Sequence, residues 1–221
     1  MIISTEKKIA IFGIQKVGSV SLHEAFKSVD TFRNTHEHMT YDQIVEQEKD
    51  NPDFPKDFAT YKFYSFYRDP VERCLSAVKF YKRTFYGHIL NLFYGDAIQI
   101  SCIASTPYDE LSDELKAAIE SIPNIDIVVH KYLKFGTILF KQQKTWLDND
   151  LDLTLLDFAN YDEEVKKLLA LFDIDIPVVP KLNSSISVPA KDAVGQREIE
   201  VIKSYYQADY EFFASKGIQF P

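Results

Sequence analysis

Cysteine, glycine, tryptophan and positive charge are all in short supply in this sequence. The two cysteines among 221 residues, Cys74 and Cys102, match no zinc spacing, and a chain of this length needs no disulfide staple. A reducing compartment is the expectation. With 25 Lys and Arg against 33 Asp and Glu, the net charge is −8, which argues against a general nucleic-acid coat or a membrane-surface binder but is compatible with a local basic pocket. No stretch reaches the ~18 consecutive apolar residues of a membrane span. Met1 to Lys8 also lacks the apolar core of a signal peptide. A soluble, cytoplasmic protein is expected.

Apolar and aromatic residues, by contrast, are abundant: 46% of the chain is hydrophobic, with 17 Phe and 13 Tyr. A chain of this size buries roughly 70% of its unfolded surface, so bulk disorder is excluded and one domain over residues 1–221 is expected.

The hydrophobic pattern alternates between strand and helix. Lys8 to Gly13 is a short apolar run ending in glycine, and Leu22, Ala25, Phe26 and Val29 then recur at helical spacing behind Ser19, a natural N-cap. A second strand is predicted over Thr31 to Thr35 and a helix around Tyr41, Ile44 and Val45. The aromatic run Tyr61 to Tyr67 reads as a central strand covered on both faces, and Pro70 opens a helix to about Phe85. Residues 86–106 show no clean period and read as an inserted lobe. Helices follow at Tyr108 to Ile122, Lys131 to Leu147 and Tyr161 to Phe172, with a strand at Leu153 to Phe158. Asp173 to Asp192 reads as a long loop and Val194 to Ala214 as a closing helix. The predicted class is α/β: a phosphate-loop-like, mainly parallel sheet of four to five strands flanked by helices.

Three clusters carry chemistry. Gly13 and Gly18 stand five apart between a strand and a helix, like the two glycines of G-x-x-x-x-G-K-[ST]. Such a loop presents backbone amides to an anion. Here Ser19 follows the second glycine and the lysine, Lys16, lies inside the loop, which disfavours an ordinary nucleoside triphosphatase; a plain tight turn with a solvated lysine is the simpler alternative. The second cluster, Arg68-Asp-Pro-Val-Glu-Arg73-Cys-Leu-Ser76, starts at the end of the aromatic strand, where ligands of open α/β sheets collect. Arg68 can fork onto a phosphate, or the segment is simply a capped helix start. In the third, Thr35-His-Glu-His-Met-Thr-Tyr41, period two would put His36 and His38 on one strand face as a source of general base. Two imidazoles alone make a poor metal site, and none is expected.

Ile14-Gln-Lys-Val-Gly-Ser-Val-Ser-Leu22 resembles the I-P-K-T-G-[ST]-[ST]-S-L loop of the carbohydrate (Golgi-type) sulfotransferases, and R-D-P-x-x-R-x-x-S at Arg68 to Ser76 is similar to their 3′-phosphate motif. Glu37 to Tyr41 looks like their G-H-x-[ST]-[YF] segment, Val179 to Ser185 their L-P-H-L-N-x-S stretch, and Tyr205 to Tyr210 their Y-x-x-D-Y helix. Together these cover residues 8–213. The resemblance implies transfer of a sulfuryl group from 3′-phosphoadenosine-5′-phosphosulfate (PAPS) to a carbohydrate or glycan hydroxyl, without metal. It places Lys16, Val17, Gly18, Ser19, Val20 and Ser21 around the 5′-phosphosulfate, Arg68 and Ser76 at the 3′-phosphate, and Ser184 and Ser185 in a loop over the nucleotide. His38, then His36 and distantly Glu37, are the candidate bases, and Arg73 is structural. Gln15, Val17 and Val20 depart from the family pattern while preserving Lys16 and the backbone amides.

Two competing readings are a phosphoryl-transfer enzyme such as a kinase and a non-catalytic nucleotide or glycan binder. The first requires Mg²⁺ and an acidic strand end, and no apolar strand is read as ending in a persuasive Asp. On the acceptor side, Lys131, Lys134, Lys141 and Lys144 fall on one broad face of a predicted helix. That row is either a solvated face or a basic wall guiding an anionic glycan.

Overall fold

The computed structural model describes residues 1–26, 38–95, 106–129, 136–174, 179 and 194–221. The strand predicted at Thr31 to Thr35, His36, Glu37, most of the loop before residue 194, and with it Ser184 and Ser185, lie outside these residues.

The chain divides into two compact units. The first contains Met1–Pro70, Lys141–Val188 and Tyr206–Pro221, the second Val71–Phe140 and Pro189–Tyr205. The first unit is α/β. Its sheet has strands β1 (Ile2–Ser4), β2 (Ile9–Phe12), β3 (Lys62–Tyr67) and β4 (Leu153–Asp157) in the order β1-β2-β3-β4. β1 runs antiparallel to β2, whereas β2, β3 and β4 are parallel neighbours, with Ile11 opposite Tyr64 and Ser65 opposite Leu155. Parallel neighbours need long crossover connections, and these carry the helices.

Alternation along the strands builds one core on each face of the sheet. Ile9, Ile11 and Phe66 join one cluster with Leu22, Trp146, Val165 and Phe213, while Ala10, Phe12 and Phe63 join the other with Ile44, Phe54 and Phe58. This two-sided burial explains why the strands read as unbroken apolar runs. Helices α1 (Ser19–Ala25), α2 (Tyr41–Glu48), α8 (Lys144–Leu147), α9 (Tyr161–Leu171) and α11 (Gln207–Ser215) belong to this unit. In α2, Thr40 accepts from the Gln43 amide while the Gln43 side chain accepts from the Thr40 amide, a reciprocal cap.

The second unit holds α3 (Pro70–Thr84, entered from Pro70 of the first), α4 (Tyr86–Tyr94), α5 (Asp113–Ser121), α6 (Asn124–Val129), α7 (Gly136–Leu139) and α10 (Gln196–Tyr205). Its anchors are two buried cations. Arg73, fully buried, donates to the Leu139 carbonyl at 3.1 Å, the structural role expected of it. Lys82 donates to the carbonyls of Glu120 and Ile122 at 3.1 and 2.9 Å and so satisfies the C-terminal end of α5.

Several predicted boundaries change. Residues 86–94 are helical, because Tyr86 and Leu90 pack with Leu111 and Ile119, and Ile89 is buried as well. Residues 108–110 form a 3₁₀ turn, and α5 starts afresh after Ser112, whose side chain caps it. The continuous helix predicted from Lys131 to Leu147 is interrupted between Leu139 and Lys144; Lys131 and Lys134 of the lysine row lie outside the described residues, while Lys141 stands 5.2 Å over the Trp146 ring and Lys144 pairs with Asp148 at 3.7 Å. The closing helix breaks at Tyr206, which is fully buried. Among the described residues, no helix is long and apolar enough to cross a membrane.

Candidate functional site

The site lies in the first unit, where the loop after β2 meets the end of β3. In that loop Ile14 and Val17 point into the core, at 0% and 2% exposure, which fixes the loop from beneath. Lys16 and Gly18 both adopt the left-handed conformation, with φ of 66° and 82°. Glycine does this without strain, but lysine does not, and such outliers concentrate at functional sites. Gly18 is also required sterically: a Cβ there would lie 2.5 Å from Tyr161 Cε2. Gly18, not Ser19, is the N-cap of α1, and Ser19 is the first helical residue, because the left-handed turn brings the helix in one residue early.

Each loop residue has a distinct surrounding. Tyr161 donates its hydroxyl to the Gly18 carbonyl at 2.9 Å. Ser21 is buried and its hydroxyl bonds to Tyr161, so it faces the core. Val20 is 54% exposed. At Gln15, Oε1 is buried with no hydrogen-bond partner among the described residues. Burial first, and the Arg68 charge second, push the Lys16 ammonium down to about 8.

Arg68 follows the last residue of β3. Its Nη1 donates to the Lys16 carbonyl at 3.5 Å, and its guanidinium carbon lies 4.9 Å over the Phe158 ring. Gln143, fully buried, accepts from the Arg68 amide at 3.1 Å and donates to the Arg68 carbonyl at 2.7 Å. His38, also left-handed at φ 63°, places Nδ1 2.8 Å from the Gly13 carbonyl, while its own carbonyl accepts from Trp146 Nε1 at 2.9 Å. Lys16, His38 and Arg68 are thus gathered onto one loop from three separate segments. Ser76 lies on α3 in the second unit and is half-buried.

Sequence reasoning missed Gln143, Trp146, Phe158 and Tyr161, which hold these residues. It also passed over Asp157, which ends β4; the carboxylate accepts from the Ala159 amide at 2.9 Å and bonds to Tyr67. Its signal, an apolar strand closing on Asp, was present in Leu153-Thr-Leu-Leu-Asp157. Among the described residues, no group of three or more His, Cys, Asp and Glu side chains comes together to hold a metal.

Comparisons with protein-family models, curated proteins and solved structures match nothing to this chain. The conclusion carried by fold and site is therefore one of class: an α/β protein with a strand–loop–helix cradle flanked by two cationic side chains and an imidazole.

Proposed function

We propose that the protein is a sulfotransferase that takes the sulfuryl group of PAPS to a hydroxyl of a carbohydrate or glycan. The observation that carries this reading is the meeting of Lys16 and Arg68 from two separate motifs at one loop, close enough for the Arg68 charge to depress the lysine. Two cations held together gain when an anion with more than one charged group lies between or beside them. A nucleotide carrying phosphosulfate and a 3′-phosphate matches that donor set.

The donor supplies an activated sulfuryl group, so the chain's work is positioning and charge stabilisation. Lys16 neutralises charge on the oxygen that leaves sulfur. Arg68 holds the 3′-phosphate, and the amides of Val17, Gly18, Ser19, Val20 and Ser21 face the 5′ end. His38 takes the proton of the attacking hydroxyl. Because Nδ1 must be the donor toward the Gly13 carbonyl, the neutral ring carries its lone pair on Nε2, the form a base requires. Ser76 is assigned to the 3′-phosphate by its motif alone.

A second reading is favoured by one observation, Asp157 at the end of β4, which is where a phosphoryl-transfer enzyme would keep an acidic group for Mg²⁺. Calorimetry separates the two. On the sulfotransferase reading, adenosine 3′,5′-bisphosphate binds without metal and more tightly than adenosine 5′-monophosphate by about 1.5–3 kcal/mol, the value of a charge-assisted contact, and Arg68→Ala removes the difference. Equal affinities for both nucleotides, or tight binding of ATP only with Mg²⁺, would overturn it.

A further inference from the structure

Arg68 and His38 come from distant segments, yet both backbones are held by the same short turn. Gln143 and Trp146, three residues apart at the start of α8, bond respectively to the Arg68 N–H and carbonyl and to the His38 carbonyl. Both side chains are buried, Gln143 at 0% and Trp146 at 2% exposure. The turn is itself fixed from below: fully buried Asp209 accepts from the Gln143 amide at 2.9 Å and from the Lys144 amide at 2.8 Å. A carboxylate sequestered this deeply, spending one oxygen on each of two amide donors, makes the turn stiff.

The geometry points to residues 143–146 as a bracket that sets Arg68 and His38 against the Gly13–Gly18 loop, with Gln143 a positioning residue for Arg68 and Asp209 its anchor. Gln143 suits this task because its amide carries a donor and an acceptor side by side, matching the N–H and carbonyl of one residue. An arginine following the last residue of a strand has lost the ladder bonds that would otherwise fix its backbone; the glutamine replaces them. The inference rests on the nucleotide-binding reading for its consequence, but the bracket itself is independent of any ligand.

Two measurements on the full chain keep those levels apart. Amide hydrogen exchange is read at Arg68 without ligand, under conditions where melting curves show each variant folded. Gln143→Met is expected to speed exchange at Arg68 well beyond its effect on other β3 amides, and unchanged protection overturns the bracket. Adenosine 3′,5′-bisphosphate affinity is then read in a double-mutant cycle. Gln143→Met is expected to weaken binding roughly tenfold when Arg68 is present and to add nothing once Arg68 is Ala. An equal loss in both backgrounds means that Gln143 does not act through Arg68, which overturns its positioning role. If wild type does not bind the nucleotide, the functional reading falls and exchange alone decides the bracket. Should Gln143→Met fail to fold, Gln143→Ala, which likewise removes the acceptor for the Arg68 amide, carries both measurements.

Discussion

His38 Nδ1 stands 2.8 Å from the carbonyl oxygen of Gly13, which ties the imidazole to the first glycine of the loop and sets its tautomer. The bond separates two roles within one ring, with Nδ1 for position and Nε2 for proton transfer.

That division makes His38→Asn more informative than the alanine variant. Asparagine tolerates the left-handed backbone and keeps a donor near the position of Nδ1 but offers no base. Turnover should fall by roughly 10²- to 10⁴-fold, with the melting temperature and bisphosphate affinity little changed and the acid limb of the rate profile lost. A larger loss from His36→Ala in a steady-state assay would exchange the roles of the two histidines.

Lys16 predicts a pH dependence with a defined sign. Its proton is lost near pH 8 in the unliganded protein, below the ordinary lysine value, because burial and Arg68 disfavour the charge. Anion binding favours the protonated form, so bisphosphate affinity should be flat below about pH 7 and decline above pH 8, by at most about tenfold per unit. Stability runs the other way: the unfolded chain holds its proton to higher pH, so this group makes folding more favourable as pH rises from about 8 towards 10.5. In calorimetry across pH 6 to 10, Lys16→Ala should show weaker binding and no break near pH 8. Its turnover should fall further than its affinity, since the lysine acts on charge that develops in the transition state.

Gly18→Ala tests the loop itself. Alanine would sit in a left-handed conformation and press its Cβ into the Tyr161 and Phe158 rings, 2.5 and 3.0 Å away. Together these cost about 2–4 kcal/mol, a fall in melting temperature of roughly 5–15 °C for a chain of this size. Calorimetric melting measures it. An unchanged melting temperature would contradict the close packing of α9 on the loop.

The elements carrying strong local signals were legible in the sequence. The apolar run before Gly13, the aromatic strand ending at Tyr67 and Pro70 at the head of α3 all lie where their patterns put them. β1 was not read, because three residues ending in a tight turn with Lys8 at φ 52° give no period. α4 was hidden by apolar residues on several sides, which blurs a helical stripe. The break at Tyr206 goes with burial of that ring, a tertiary event. The site divides in the same way: Lys16, Arg68 and His38 stand in recognisable motifs, whereas Gln143 and Asp209 meet their partners across 75 and 66 residues. Such contacts leave no local mark. The Tyr205 to Tyr210 stretch flagged Asp209 without indicating what it holds.

Sulfuryl transfer is the most direct measurement of the central claim. The protein is incubated with sulfate-labelled PAPS and a panel of sugars, polysaccharides, phenols and lipids in the presence of a metal chelator. The account predicts label appearing on a carbohydrate hydroxyl, with stoichiometric release of adenosine 3′,5′-bisphosphate, and loss of transfer in Lys16→Ala and His38→Asn. Transfer that survives both substitutions, or a panel of acceptors that stays unlabelled while the nucleotide binds, would contradict it.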